Sequence, residues 1–256
     1  MSADRDYPAR IAALAGAQGI RRALVETDYL TYDDYQALAA ALPGTELVPM
    51  AGLPEKLREI KDAAELESIR RAAAIASDAF MNILPSIHAG MTEKQVRRVL
   101  EFEMLELGSE GVAFETIAAS GPNGALPHAR PSDRVIESGE LRQIYETVRM
   151  AQQLGLDALA VGKACGDVDR VARDYIDARY PNAFGHSLGH GVGLYIHEQP
   201  RVSSGNTAVL RPGHVVTVEP GVYIPGLGGC RIADTVIMTA DGVINTIAAP
   251  KELIEL

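Results

Sequence analysis

The chain has 256 residues, a formal net charge of −10, 47% hydrophobic and 23% charged residues. That length can bury a core as one large domain or two small ones, and the acidic balance excludes a general nucleic-acid surface. No apolar run reaches the ~20 residues of a membrane span and MSADRDYPAR carries no secretory apolar stretch, so a cytoplasmic protein with no membrane partner is expected. Two cysteines, Cys165 and Cys230, are too few for a disulfide framework or a thiolate zinc site, and read as ordinary core or loop thiols. Aromatic residues make up 5% with no Trp, which weakens any ligand reading based on stacking.

The first 50 residues read as short α/β structure: a helix over Arg10–Gly19, a strand over Ala23–Glu26, a helix over Thr31–Leu42 and a strand over Leu47–Met50. This is little material for an independent core. A long helix follows from Ala63 to Leu84, with Ile69, Ala72, Ala73, Ala76, Phe80 and Ile83 at helical spacing. The next begins at Thr92, where Thr92 and Gln95 make a capping box, and ends at Gly108. Phe114–Ser120 reads as a strand, broken by the turn cluster Ser120-Gly121-Pro122-Asn123. Helices are predicted over Leu141–Leu156 and Asp167–Arg179, after which the chain turns β-like, glycine-rich and histidine-rich.

A weak internal repeat runs through the helical part. GMTEKQVRRV and GKACGDVDRV match 72 residues apart, and Glu137-Ser138-Gly139 matches Arg211-Pro212-Gly213 at 74. The halves differ after that glycine. Gly213 leads into the strand His214–Glu219, a glycine turn and a second strand, Arg231–Ile237, whereas Gly139 is followed by Glu140 and then directly by a helix. If the halves are homologous, the first lacks two strands.

The densest chemical feature is Gly185–Glu198, which holds His186, His190 and His197 among glycines. Imidazoles at this density suit metal binding and proton transfer, and glycines let backbone approach a ligand closely. Glu219 ends an apolar strand before Pro220, where an unpaired carboxylate is costly to bury. His128 follows Ala125-Leu126-Pro127, while His88 and His214 have no supporting pattern and read as bland.

Ser120–Asn123 with Pro127-His128-Ala129, the block Gly185–Glu198, Thr217–Gly221 and Gly229–Asp234 occur in one order along the chain. Together with Leu57–Lys61 and Glu65, they resemble the pita-bread metallopeptidases, and within them the Xaa-Pro dipeptidases and aminopeptidase P. The resemblance implies an α+β fold. A pita-bread domain with a curved antiparallel sheet and packed helices would span residues 57–256, preceded over residues 1–56 by a truncated remnant of an α/β N-terminal domain. It implies His190 and Glu219 as metal ligands, His128, His186 and His197 as substrate-binding and proton-moving groups, and Arg231 beside the last ligand. It also implies divalent Mn, Co or Zn as cofactor, a proline-containing peptide as substrate and a homodimer. Two ions with a bridging hydroxide would activate water and clamp the tetrahedral intermediate.

The chain departs from that pattern at three of five ligands. The two aspartates belong on a hairpin after the Gly139 position, which is missing, and the second glutamate position is Ala233. Asp234 is adjacent, but neighbouring strand residues face opposite sides. The expectation is a Xaa-Pro peptidase-like protein with activity absent or severely reduced, or else a non-catalytic peptide- or protein-binding module of the same fold.

Overall fold

The computed structural model describes residues 6–137 and 141–254, so the Ser138-Gly139-Glu140 junction lies outside the described residues. The chain divides into two compact units, Met1–Leu57 and Arg58–Leu256.

In the first unit, helices α1 (Tyr7–Ala17) and α2 (Tyr32–Ala41) accompany the parallel strands β1 (Arg22–Glu26) and β2 (Glu46–Met50), and α3 runs over Leu53–Arg58. Asp6 caps α1 and Thr31 caps α2, each accepting a backbone N–H of the first turn. The apolar cluster is small: Ala15, Val25, Leu38 and Leu42.

The second unit opens with α4 (Ala63–Ile83) and α5 (Glu93–Glu106). Both begin on a reciprocal capping box, Asp62 with Glu65 and Thr92 with Gln95, which satisfies two of the otherwise orphaned N-terminal donors. Helices α6 (Arg142–Asp157) and α7 (Cys165–Asp177) follow. The strands are β3 (Gly189–Gly191), β4 (Glu198–Val202), β5 (Val215–Val218), β6 (Gly221–Ile224), β7 (Gly228–Arg231), β8 (Asp234–Thr239) and β9 (Gly242–Asn245). They form an antiparallel sheet in the order β4-β3-β5-β8-β9 and a separate β6-β7 hairpin. The core is built from the buried stripes of α6 (Ile144, Val148, Ala151) and α7 (Val168, Ala172, Ile176), packed on Val216, Val218, Val236 and Met238 of the sheet. Gly155 lets α6 lie close: a Cβ there would stand 3.0 Å from a Val218 methyl.

Two sequence expectations are corrected. Phe114–Ser120 forms no strand: among the described residues between α5 and α6 there is a short 3-10 turn over Gly121–Ala125, and Val135 makes an isolated bridge back to Thr92, just ahead of α5. In the second half the topologically matching segment, β3, is held between β4 and β5, and the first half offers 115–120 no such partner. The strand expected over Arg231–Ile237 is two strands. β7 pairs with β6 up to Arg231, and β8 pairs with β5 from Asp234, with Ile232 and Ala233 as the break.

Candidate functional site

Strand alternation builds the site. Val216 and Val218 of β5 enter the core, so Thr217 and Glu219 share the other face, where the Thr217 hydroxyl donates to Glu219 Oε1 at 3.1 Å. His190, the middle residue of β3, donates its backbone N–H to the Thr217 hydroxyl at 3.0 Å and brings Nε2 to 3.0 Å from Glu219 Oε1. Only glycine could flank it: a Cβ on Gly189 would lie 1.8 Å from the Thr217 carbonyl oxygen, and one on Gly191 2.2 Å from that of Gln199.

His190 Nδ1 lies 3.0 Å from the Gly191 carbonyl oxygen. Both ring nitrogens therefore face acceptors, which only the protonated ring satisfies fully. Burial opposes charge on His190, but the hydrogen bonds to Glu219 and Gly191 and the carboxylate's charge outweigh it and raise its pKa. Burial likewise opposes charge on Glu219, and His190, Arg231 and Thr217 outweigh it and lower its pKa. The two form a partly buried, hydrogen-bonded histidine–carboxylate pair.

The other expected residues gather around it. The His197 ring packs edge-on against His190 with centroids 4.4 Å apart, and its pKa is lowered by burial and then by His190. His186 sits with Nδ1 2.8 Å from the Ser187 carbonyl oxygen and Nε2 2.9 Å from the Tyr223 hydroxyl. The carbonyl can only accept, so Nδ1 carries the proton and Nε2 accepts from Tyr223. Burial lowers the His186 pKa, against the raising effect of Ser187. Arg231, at the end of β7, reaches within 4.0 Å of Glu219 Oε2 and donates to the Pro127 carbonyl at 3.0 Å. It thereby ties the site to the exposed His128, whose charge is felt by both His186 and His197.

Three supporting groups escaped the sequence reading. Thr217 and Tyr223 join Glu219 and His186. The i,i+4 pair Asp169–Arg173 on α7 clamps the approach to β3: Asp169 accepts the Leu188 N–H, and Arg173 donates to the Phe184 and His186 carbonyls. The spacing of Thr217 two before Glu219, and of Asp169 four before Arg173, was the available signal.

Asp234 does not stand in for the absent ligand. It is 2% exposed, accepts from Asn245 Nδ2 at 2.7 Å and pairs with Lys251 at 2.9 Å. Ala233 is exposed at the strand break. Among the described residues, no group of three or more His, Cys, Asp or Glu side chains is placed to hold a metal ion. With Ala233 at the second glutamate position and Asp234 held elsewhere, His190 and Glu219 are too few donors, and the residues present do not fit a two-ion centre.

With this geometry established, comparison with known proteins is direct. Residues 67–142 and 139–240 match metallopeptidase family M24, and residues 2–60 match the creatinase/prolidase N-terminal domain. The chain belongs to metallopeptidase family M24. A Xaa-Pro dipeptidase from Bacillus anthracis superposes with a TM-score of 0.94 at 39% identity, over 97% of this chain and 78% of that one. The Xaa-Pro dipeptidase of Pyrococcus furiosus is 40% identical over 77% of this chain and 66% of its own length. A Bacillus subtilis relative called uncharacterized peptidase YqhT is 39% identical over 93% of this chain and 76% of its own. That last alignment spans 268 residues, whereas 93% of 256 is about 238, so about 30 positions of the relative have no counterpart here. The M24 match itself divides just ahead of α6, at the junction that includes Gly139. The pita-bread fold expected from the sequence is the fold of these relatives.

Proposed function

We propose that this chain is a Xaa-Pro peptidase-like protein that keeps the peptide-facing groups of the cleft and lacks metal-dependent hydrolysis. His128, His186, His197 and Arg231 line the cleft as binding and proton-moving groups, and His190 and Glu219 are the remnant of the metal centre. The single observation that carries this reading is the donor set: among the described residues no third His, Cys, Asp or Glu side chain joins His190 and Glu219 to hold a metal ion, and Asp234 is held by Lys251 and Asn245. Two protein donors hold Mn, Co or Zn weakly and cannot fix a pair of ions about 3.5–4 Å apart. The divided family match and the unmatched residues of the relatives support a missing ligand-bearing hairpin after Gly139.

The test is elemental analysis after equilibration with Mn²⁺ and dialysis, followed by an assay for proline release from Gly-Pro. Less than one bound equivalent per chain and no turnover are expected; two retained equivalents with turnover would refute the proposal. A second reading, a module that holds a proline-containing peptide or a protein partner without cleaving it, is favoured by the exposed Leu194, Tyr195 and Ile196 beside His197. Calorimetric binding of Gly-Pro without hydrolysis would select it. A cytoplasmic homodimer is proposed by analogy with the family; no helix among the described residues is long and apolar enough to cross a membrane.

A further inference from the structure

His197 stands on a loop with little of its own to hold it. Between Val192 and β4 the chain makes one internal backbone hydrogen bond, Gly193 N–H to the Tyr195 carbonyl at 3.1 Å, and Leu194, Tyr195 and Ile196 are exposed. The carboxylate of Glu198, the next residue, is turned the other way, into the protein. Its Oε1 accepts the Tyr195 N–H at 3.2 Å, and its Oε2 lies 2.9 Å from the ammonium of Lys61. The Lys61 and Glu198 side chains are 2% and 5% exposed. Arg58 brings Nε to 3.5 Å from Oε1 and sets its guanidinium 4.8 Å from the centre of the Tyr195 ring. Gly193 leaves the carboxylate its space, since a Cβ there would stand 2.4 Å from Oε2. Lys61 is itself anchored, its N–H donating to the Gly213 carbonyl at 2.9 Å.

We propose that Lys61 and Glu198 form a positioning pair that sets the His197 ring against His190. His197 immediately precedes β4, so fixing the Glu198 carboxylate inward at the first strand residue limits where the adjacent imidazole can point, and here it lies against the His190 ring. The pair is buried: losing Glu198 leaves the Lys61 ammonium uncompensated, and losing Lys61 leaves Glu198 with only the more distant Arg58. The Gly191–Glu198 pairing of β3 with β4 closes the loop, and the buried ion pair decides which way Glu198 faces within it. This rests on the reading of His197 as a peptide-facing group, but the ring position is measured without any peptide.

The experiment is a nuclear Overhauser measurement between the His190 and His197 ring protons, with resonances assigned through His197→Gln. The unmodified protein and Lys61→Arg should show the cross-peak; Lys61→Met and Glu198→Gln should lose it while the His186 ring resonances stay in place. If Lys61→Met does not fold, the double variant Lys61→Met/Glu198→Met removes both charges and restores an apolar contact, and it too should lack the cross-peak. A cross-peak retained in any folded variant lacking the ion pair overturns the proposal, as does displacement of His186 along with His197. Absence of Gly-Pro binding would count against the peptide reading alone and leave this measurement intact.

Discussion

His214 shows how one buried side chain writes a pH dependence into the chain. It is 1% exposed, its Nδ1 accepts the Arg211 N–H at 3.2 Å, and its buried Nε2 has no hydrogen-bond partner. Burial, then the charges of Arg211 and Lys61, push its pKa down to about 4 from 6.5, with Glu59 3.9 Å away as the facing carboxylate. Between those values the unfolded chain binds the proton and the folded chain does not, so stability is intact above pH 6.5 and falls as the pH drops toward 4. Urea unfolding at pH 7 and pH 5 should differ by about 2 kcal/mol through this group, and His214→Asn should remove most of that difference; equal slopes in both proteins would refute the assignment. The substitution Ala233→Glu separates two causes of the incomplete centre. It adds a carboxylate at the exposed break beside Arg231, so Mn²⁺ affinity measured by calorimetry should rise modestly. Proline release from Gly-Pro should stay at background, because the second ion would still lack its aspartates. Asp234 cannot make up the shortfall while it is committed to Lys251 and Asn245. Vigorous turnover from Ala233→Glu alone would mean that a further carboxylate enters the site.

The segment between α5 and α6 survives without a sheet because Glu93 holds it. This carboxylate, in the first turn of α5, is 1% exposed. It accepts from the backbone N–H groups of Ser120 and Ser132, from both of their hydroxyls and from the Asn123 amide. Burial opposes its charge, but the donors led by Ser132 outweigh it and the pKa is lowered. Removing such an acceptor orphans several buried donors, so Glu93→Ala should cost roughly 2–4 kcal/mol. It should also speed amide exchange at Ser120 and Ser132 while α6 and α7 stay protected; uniform exchange in the two proteins would show that the loop is held by other means. The helices of this region were legible in sequence because their signals are local: apolar spacing along α4 and the Thr92–Gln95 box are read within one turn or one stripe. The same holds for the glycines around His190, whose density announced a close backbone approach. Phe114–Ser120 was misread because a strand depends on a partner, and composition cannot say that the partner is absent. The convergence of His190 and Glu219 was anticipated as shared ligation, but the partner of His190 Nδ1 is the Gly191 carbonyl, a backbone atom with no sequence signature. Glu93 gave no signal, and Lys61 and Glu198, although inside the resembling stretches, gave none of their pairing, since the partners are 27 to 137 residues away.

The two halves of the larger unit bury their helices very unequally. In α7 the stripe Val168, Ala172, Ile176 is 0% exposed, whereas in α5 Phe102 is 61% and Leu105 52% exposed. The main apolar cluster draws all its fully buried members from Ile144 to Met238. A helix with an apolar stripe is stable because that stripe is covered; α6 and α7 have β5 and β8 for this, and the repeat offers α4 and α5 no equivalent strands. The first half is therefore the weaker one, and its uncovered apolar side chains favour self-association. Light scattering should find a dimer or larger species, and hydrogen exchange should release α4 and α5 well before α6 and α7. Inserting the roughly 30 residues that relatives carry and this chain lacks, with both aspartates and Ala233→Glu, supplies the sheet and the ligands in one step. That variant should slow exchange in α4 and α5, raise Tm by several degrees, retain two equivalents of Mn²⁺ after dialysis and release proline from Gly-Pro. Within it, His190→Ala should abolish turnover together with metal retention, and His197→Ala should lower kcat more than metal content. If the insertion restored metal and turnover but left exchange in α4 and α5 unchanged, the missing hairpin would be a ligand carrier only, and the exposure of Phe102 and Leu105 would need another cause.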